Sequence, residues 1–130
     1  MATELSKLEK KLDTILSQYI RQRYADKNGL VKCYTCSTIK PWKEMQCGHF
    51  CKRHHRSTRW LEENMRVQCA GCNLFRDGNY PEYAYQLEKE KKGTINFLHK
   101  KQEEIFKVSI PWLIEKIDFY TQKLNELQES

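Results

Sequence analysis

Residues 45–73 read MQCGHFCKRHHRSTRWLEENMRVQCAGCN, and how this stretch is understood decides the fold. It holds four cysteines, three histidines and five lysines or arginines. Two more cysteines, Cys33 and Cys36, lie just upstream, and none of the six falls outside residues 33–72. Thiols gathered in this way point to a local metal site rather than to disulfides spread along the chain. Cys33-x-x-Cys36 and Cys69-x-x-Cys72 form two knuckles, each able to place two thiolates on one ion. Four sulfurs in a tetrahedron suit a closed, structural Zn²⁺ site. The 32 residues between the knuckles exceed a zinc ribbon's usual gap, so they must form a folded insertion of their own. Cys47 and Cys51 are left over. They read as small buried hydrophobes, with a ligand swap by Cys47 as the alternative.

Outward from this centre the apolar period changes. Residues 4–25 predict a helix, because Leu5, Leu8, Leu12, Ile15, Leu16, Tyr19 and Ile20 recur three and four apart. Asn28-Gly29 stops it with residues that tolerate a left-handed turn. LVKCYTC (30–36) and MRVQC (65–69) are short and β-compatible, too short to build a sheet that could hold the region without metal. Pro81 fits the first turn of a helix to about Lys91, TINFLHKKQEEIF (94–106) predicts another, and Pro111 opens a last one. On that last helix Trp112, Ile114, Ile117, Tyr120 and Leu124 share a face. The expectation is an α+β chain of one domain, 1–130. It comprises an N-terminal helix (1–28), a zinc-bound core (29–80) and a C-terminal helical segment (81–130).

Composition narrows the function classes. With 130 residues, 39% hydrophobic and 31% charged, the chain is long enough for one core and has a wet surface. No apolar run approaches a membrane span and no signal-peptide stretch opens the chain, so we expect a cytoplasmic protein without a membrane partner. The net charge is +6. Residues 29–80 carry nine basic and four acidic side chains, while residues 81–130 carry eight and nine. The positive excess therefore falls on the cysteine segment, which suggests that a polyanion meets it there.

His49 stands out by its company. Asn64 follows fifteen positions later, and Asn73 comes directly after Cys72. A Gly-His, an Asn and a CxxCN set on a zinc frame resemble the HNH (ββα-metal) nuclease motif. That resemblance implies His49 as the base that activates water, Asn64 as the residue that orients it, and Asn73 as a ligand of a catalytic Mg²⁺ or Mn²⁺. The residue types suit phosphodiester hydrolysis, since imidazole titrates near neutrality and a hard cation offsets charge on the phosphate. Many HNH sites carry an Asp directly before the His, where this chain has Gly48. His55 is the first candidate for the missing ligand, with Asp77 behind it; His54 is expected to meet solvent or phosphate.

VKCYTCSTIKPWKEMQCGHF (31–50), with STRW (57–60), QCAGCN (68–73) and RDGN (76–79), resembles the lambda NinG/Rap family of phage recombination endonucleases. The likeness extends to SQYIRQRYADKNG (17–29) and YPEYAYQLEKEKKGT (80–94), though only the central 45 residues are specific. It makes Gly48 a family feature. It also implies metal-dependent nicking of branched DNA, such as Holliday junctions and D-loops, in a phage-infected or prophage-carrying bacterial cell. Lys52, Arg53, Arg56, Arg59, Arg66 and Arg76 surround the motif and are candidate phosphate contacts, three or four of them expected to matter. Trp42, Trp60 and Phe75 read as core side chains. The stripes of the first and last helices exceed what so small a centre can cover, so they pack either on a second subunit, as a homodimer suited to two symmetric cuts, or on each other. From another class, the alternative is a catalytically silent zinc module that binds DNA or a recombination protein.

Overall fold

The computed structural model describes residues 2–129. Helix α1 spans Glu4–Gln22, and Thr3 caps it by accepting the Ser6 N–H at 3.1 Å. Its stripe buries Leu12, Leu16 and Ile20. The helix ends at Gln22, three residues short of the sequence expectation, and Gly29 turns the chain at φ 79°.

The stripe packs against α5, Ile110–Glu129, which buries Leu113, Ile117, Tyr120 and Leu124. Leu113 takes the inward place that the sequence assigned to Ile114, which is 46% exposed. Both positions fit a helical stripe over Ile117, one at i−4 and one at i−3, and packing on α1 selects the first. With Trp60 and Met65 these side chains form the largest core. The stripes that invited a second subunit thus cover one another within a single chain.

Two small antiparallel hairpins make up the β structure. Strands β1 (Leu30–Lys32) and β2 (Ile39–Pro41) pair with Val31 opposite Lys40. Strands β3 (Gln46–His49) and β4 (Met65–Gln68) pair from Gln46 opposite Gln68 to His49 opposite Met65. Every residue of β4 is buried, so two layers close on it. The long insertion between β3 and β4 carries the one-turn helix α2 (Arg56–Arg59). After β4 the chain makes a π-helical turn, Gly71–Phe75, and then forms α3 (Tyr80–Glu90), with Pro81 in its first turn, and α4 (Thr94–Gln102). Phe50, Cys51, Tyr83, Leu87 and Leu98 make a further core beneath α3 and α4. Among the described residues no helix is long and apolar enough to cross a membrane.

Candidate functional site

The ligand atoms of Cys33, Cys36, Cys69 and Cys72 all lie within 4.8 Å of one another, and the Cys36 and Cys69 sulfurs are 3.6 Å apart. Tetrahedral zinc with Zn–S bonds of about 2.3 Å sets its sulfurs a little under 4 Å apart, so this geometry fits. The two knuckles reach each other because Cys33 follows β1 and Cys69 follows β4, while the Tyr34 N–H donates to the Val67 carbonyl at 2.9 Å. The sulfurs are supported in turn: the Cys69 N–H donates to Cys33 Sγ at 3.3 Å and Asn79 Nδ2 to Cys72 Sγ at 3.6 Å. Such donors favour the thiolate form that a metal requires. Burial pushes the Cys33 thiol up to about 11. Burial also raises Cys36, but hydrogen bonds from Thr38 and its neighbouring thiols outweigh it and bring Cys36 down to about 6. This group can hold a zinc ion, and Cys47 and Cys51 stand outside it. Cys51 is buried in the core under α3 and α4, and Cys47 packs against the α1–α5 core, where burial raises its thiol to about 12.

At the other end of the β3–β4 hairpin, His49 lines an open cleft of about 490 Å³ with Asp13, Gln46, Cys47, Arg53 and Asn73. Its Nε2 lies 3.0 Å from the Arg59 carbonyl oxygen. A carbonyl only accepts, so Nε2 carries the hydrogen and Nδ1 keeps its lone pair. Burial lowers the imidazole to about 4, which leaves it neutral near pH 7.

Asn64 does not touch this ring. It is fully buried; its Oδ1 accepts the Cys51 N–H at 2.6 Å, and its Nδ2 donates to the carbonyls of Cys51 and Thr58, each at 3.1 Å. It thereby pins the insertion that presents the Arg59 carbonyl, the group that His49 Nε2 meets. Asn73 does face the cleft, where its Nδ2 donates to Gln46 Oε1 at 2.7 Å and its Oδ1 has no hydrogen-bond partner among the described residues. His55 is not among the cleft residues: it precedes α2 and its ring lies 4.1 Å from that of His54. Asp77 is also elsewhere, paired with Lys52 at 3.1 Å.

Gly48 has a packing reason. A Cβ there would come 1.9 Å from Oε1 of Gln68, which is fully buried and donates to Thr35 Oγ1 at 3.0 Å and the Gly78 carbonyl at 2.9 Å. No side chain fits at this position while Gln68 ties β4 to both halves of the thiol cluster. The cleft's carboxylate is Asp13 instead, reached from α1. It accepts from Arg53 at 2.7 Å, from Arg59, and from Trp60 Nε1 at 2.9 Å. Burial works to raise its pKa, but Arg59 and Arg53 together outweigh this and hold it below 3.8. Glu9, one turn earlier, is 4% exposed and accepts from Arg56 at 2.8 Å. A signal for this pair existed in the sequence: Glu9 occupies a stripe position between Leu5 and Leu12, and Asp13 follows it by four.

These carboxylates revise the candidate phosphate contacts. Arg66 is buried against Glu90, and Arg59 is held by Asp13 and Glu9 with 15% of its side chain exposed. Neither is available to a phosphate, because each guanidinium is drawn into the fold by an acid already paired with it. Arg53, Arg56 and Lys52 keep about half of their side chains in solvent although each is paired. Arg76 is exposed and makes no ion pair among the described residues. Trp60 lies in the core, as expected, and Trp42 packs beside the thiol cluster. Phe75, expected in the core, is 84% exposed.

No curated protein and no solved structure matches the chain. A family model described as the bacteriophage lambda NinG protein matches residues 1–130. With the match running the whole length of the chain, through α1, the thiol cluster, the His49 cleft and α5 alike, this protein belongs to the bacteriophage lambda NinG family.

Proposed function

We propose that this chain is a metal-dependent endonuclease of the HNH type that nicks branched DNA, Holliday junctions and D-loops among it, in phage recombination. The observation that carries the proposal is His49: a neutral imidazole, its Nε2–H held by the Arg59 carbonyl at 3.0 Å, with Nδ1 left to accept a proton inside an open cleft. Nδ1 takes the proton of a water aimed at the scissile phosphate, and the Arg59 carbonyl dipole offsets the charge that develops on the ring. Arg53 at the cleft and Arg56 beside it hold the phosphate backbone without reading sequence. Asn73, through Oδ1, and Asp13 are the oxygen donors that would hold Mg²⁺ or Mn²⁺, whose charge would neutralise the phosphate oxygens. The thiol cluster has the separate task of fixing the β3–β4 hairpin. A homodimer would supply the two related cuts a four-way junction needs.

A second function has one observation in its favour. Asp13 is already engaged by two arginines and Trp60 and so is less free to hold a cation, which favours a zinc module that binds DNA or a recombination protein without cutting. The test is cleavage of a labelled four-way junction and a matched linear duplex, with and without Mg²⁺ or Mn²⁺. Metal-dependent paired nicks in the junction are expected, reduced roughly 10²- to 10⁴-fold by His49→Ala while DNA binding and zinc content persist. Tight binding without cutting under either metal would establish the silent module instead.

A further inference from the structure

Leu74 and Phe75 are 60% and 84% exposed, and residues 74–77 are all exposed in succession. Single exposed apolar side chains are ordinary, but two large neighbours at the tip of one turn are not. This tip is firmly built. The Arg76 N–H donates to the Gly71 carbonyl at 3.0 Å and the Gly78 N–H to the Cys72 carbonyl at 2.9 Å. Gln68 Nε2 grips the Gly78 carbonyl at 2.9 Å, and Asn79 Nδ2 reaches the Thr35 carbonyl at 3.3 Å. Asp77, Gly78 and Asn79 take φ of 47°, 91° and 50°, three left-handed residues in a row that fold the chain sharply back behind the tip. The tip is therefore fastened to a cluster cysteine on one side and to the buried Gln68 on the other.

Its position is equally specific. Asn73, the residue before Leu74, lines the cleft that holds His49. Arg76, directly after Phe75, is exposed and makes no ion pair among the described residues, and Lys52 lies across from Asp77 at 3.1 Å. An apolar pair set among cations matches a partner with an apolar interior between two lines of negative charge. A second copy of the same basic tip would repel it, and stacked bases between phosphates would not.

We propose that Leu74 and Phe75 form a wedge that enters the DNA base stack where paired strands separate, and that this insertion is what favours branched over linear DNA. The inference rests on the proposal that the chain acts on branched DNA. A continuous duplex must be unstacked before a wedge can enter, whereas a branch point offers steps that are already open. The rigid turn then fixes how far the opened step lies from His49.

The test uses the full chain with 2-aminopurine at the branch of a four-way junction and in a matched linear duplex, without added Mg²⁺ or Mn²⁺ so that the DNA stays whole. Wild type is expected to bind the junction more tightly than the duplex and to raise fluorescence at the branch. Phe75→Ala, at an exposed position, should melt as wild type does and lose the fluorescence rise. It should also weaken junction binding roughly 10- to 100-fold while leaving duplex binding nearly unchanged, the scale of aromatic stacking on a base. Phe75→Trp should keep both. If Phe75→Ala weakens both DNAs alike or neither, or if fluorescence stays flat while wild type binds, the wedge is overturned and DNA binding stands. If Phe75→Ala converts a wild-type dimer to a monomer with DNA preference unchanged, the patch is a subunit contact. Failure of the wild type to bind any DNA overturns both proposals.

Discussion

The thiol cluster lies at the Gln46–Gln68 end of the β3–β4 pair and His49 at the other, yet the two regions are assembled by opposite means. The cluster draws its ligands from two knuckles whose partners are three residues apart, and its surrounding core is small. A metal can therefore do there what apolar burial does elsewhere. The cleft takes only part of its lining from β3; its carboxylate arrives from α1, 36 positions earlier in the chain, and is fixed in place by the α1–α5 core. A cluster able to hold zinc lies at one end of the hairpin, and helix packing organises the other.

Loss of a cluster cysteine should cost the fold most. Cys72→Ser removes one ligand and also the sulfur that Asn79 supports. Structural zinc contributes on the order of 10 kcal/mol in modules where binding and folding are coupled, far beyond the stability of so small a β region. Metal analysis should show less than stoichiometric zinc, and amide exchange should show the hairpins β1–β2 and β3–β4 unprotected. Native exchange protection with no zinc in either wild type or variant would mean that the four cysteines are a packed cluster and no more.

At the helix end the expected loss is smaller but still severe. Asp13→Asn keeps the shape of the side chain and removes the charge that Arg53, Arg59 and Trp60 share. The cost is about 3 kcal/mol, the low end for breaking a buried pair, because Arg59 keeps Glu9 and Arg53 is largely in solvent. Denaturant unfolding should show this loss while zinc stays bound at full stoichiometry, and that pairing of results would separate the two ends cleanly. A loss of zinc in this variant would show that the ends are one cooperative unit.

How much of this was legible follows the same division. The CxxC spacings announced the cluster, and the apolar repeats announced α1, α3, α4 and α5, because both are local patterns. Beside the HNH motif Gly48 reads as a missing ligand, yet Gln68, twenty residues later, occupies the space of a side chain there. The family resemblance makes Asn64 the residue that orients water, whereas its three bonds go to the backbone of Cys51 and Thr58, next to the Arg59 carbonyl. Phe75 was placed in the core since aromatic residues usually go there, and no local pattern marks a tip that points outward. Arg59 and Arg66 looked like surface cations because their acids, Asp13, Glu9 and Glu90, lie far away in sequence.

The smallest effect tests the cleft without disturbing its packing. His49 is held near a pKa of about 4 by burial, against 6.5 for the free side chain. Between those values the unfolded chain binds a proton that the folded chain does not, so stability falls as pH drops from 6.5 toward 4. Two to three pH units at about 1.4 kcal/mol each make a loss of about 3 kcal/mol across the window. Asp13 contributes in a different range: its pKa is held below 3.8, so the stability it supplies is lost only beneath that pH. Unfolding free energies measured every half unit from pH 7 to 4.5 should therefore decline in wild type. They should decline less steeply in His49→Gln, whose amide can still donate to the Arg59 carbonyl but does not titrate. Equal slopes for the two proteins would mean that His49 is solvated enough to protonate in place, and that its neutrality at the cleft is not built into the fold.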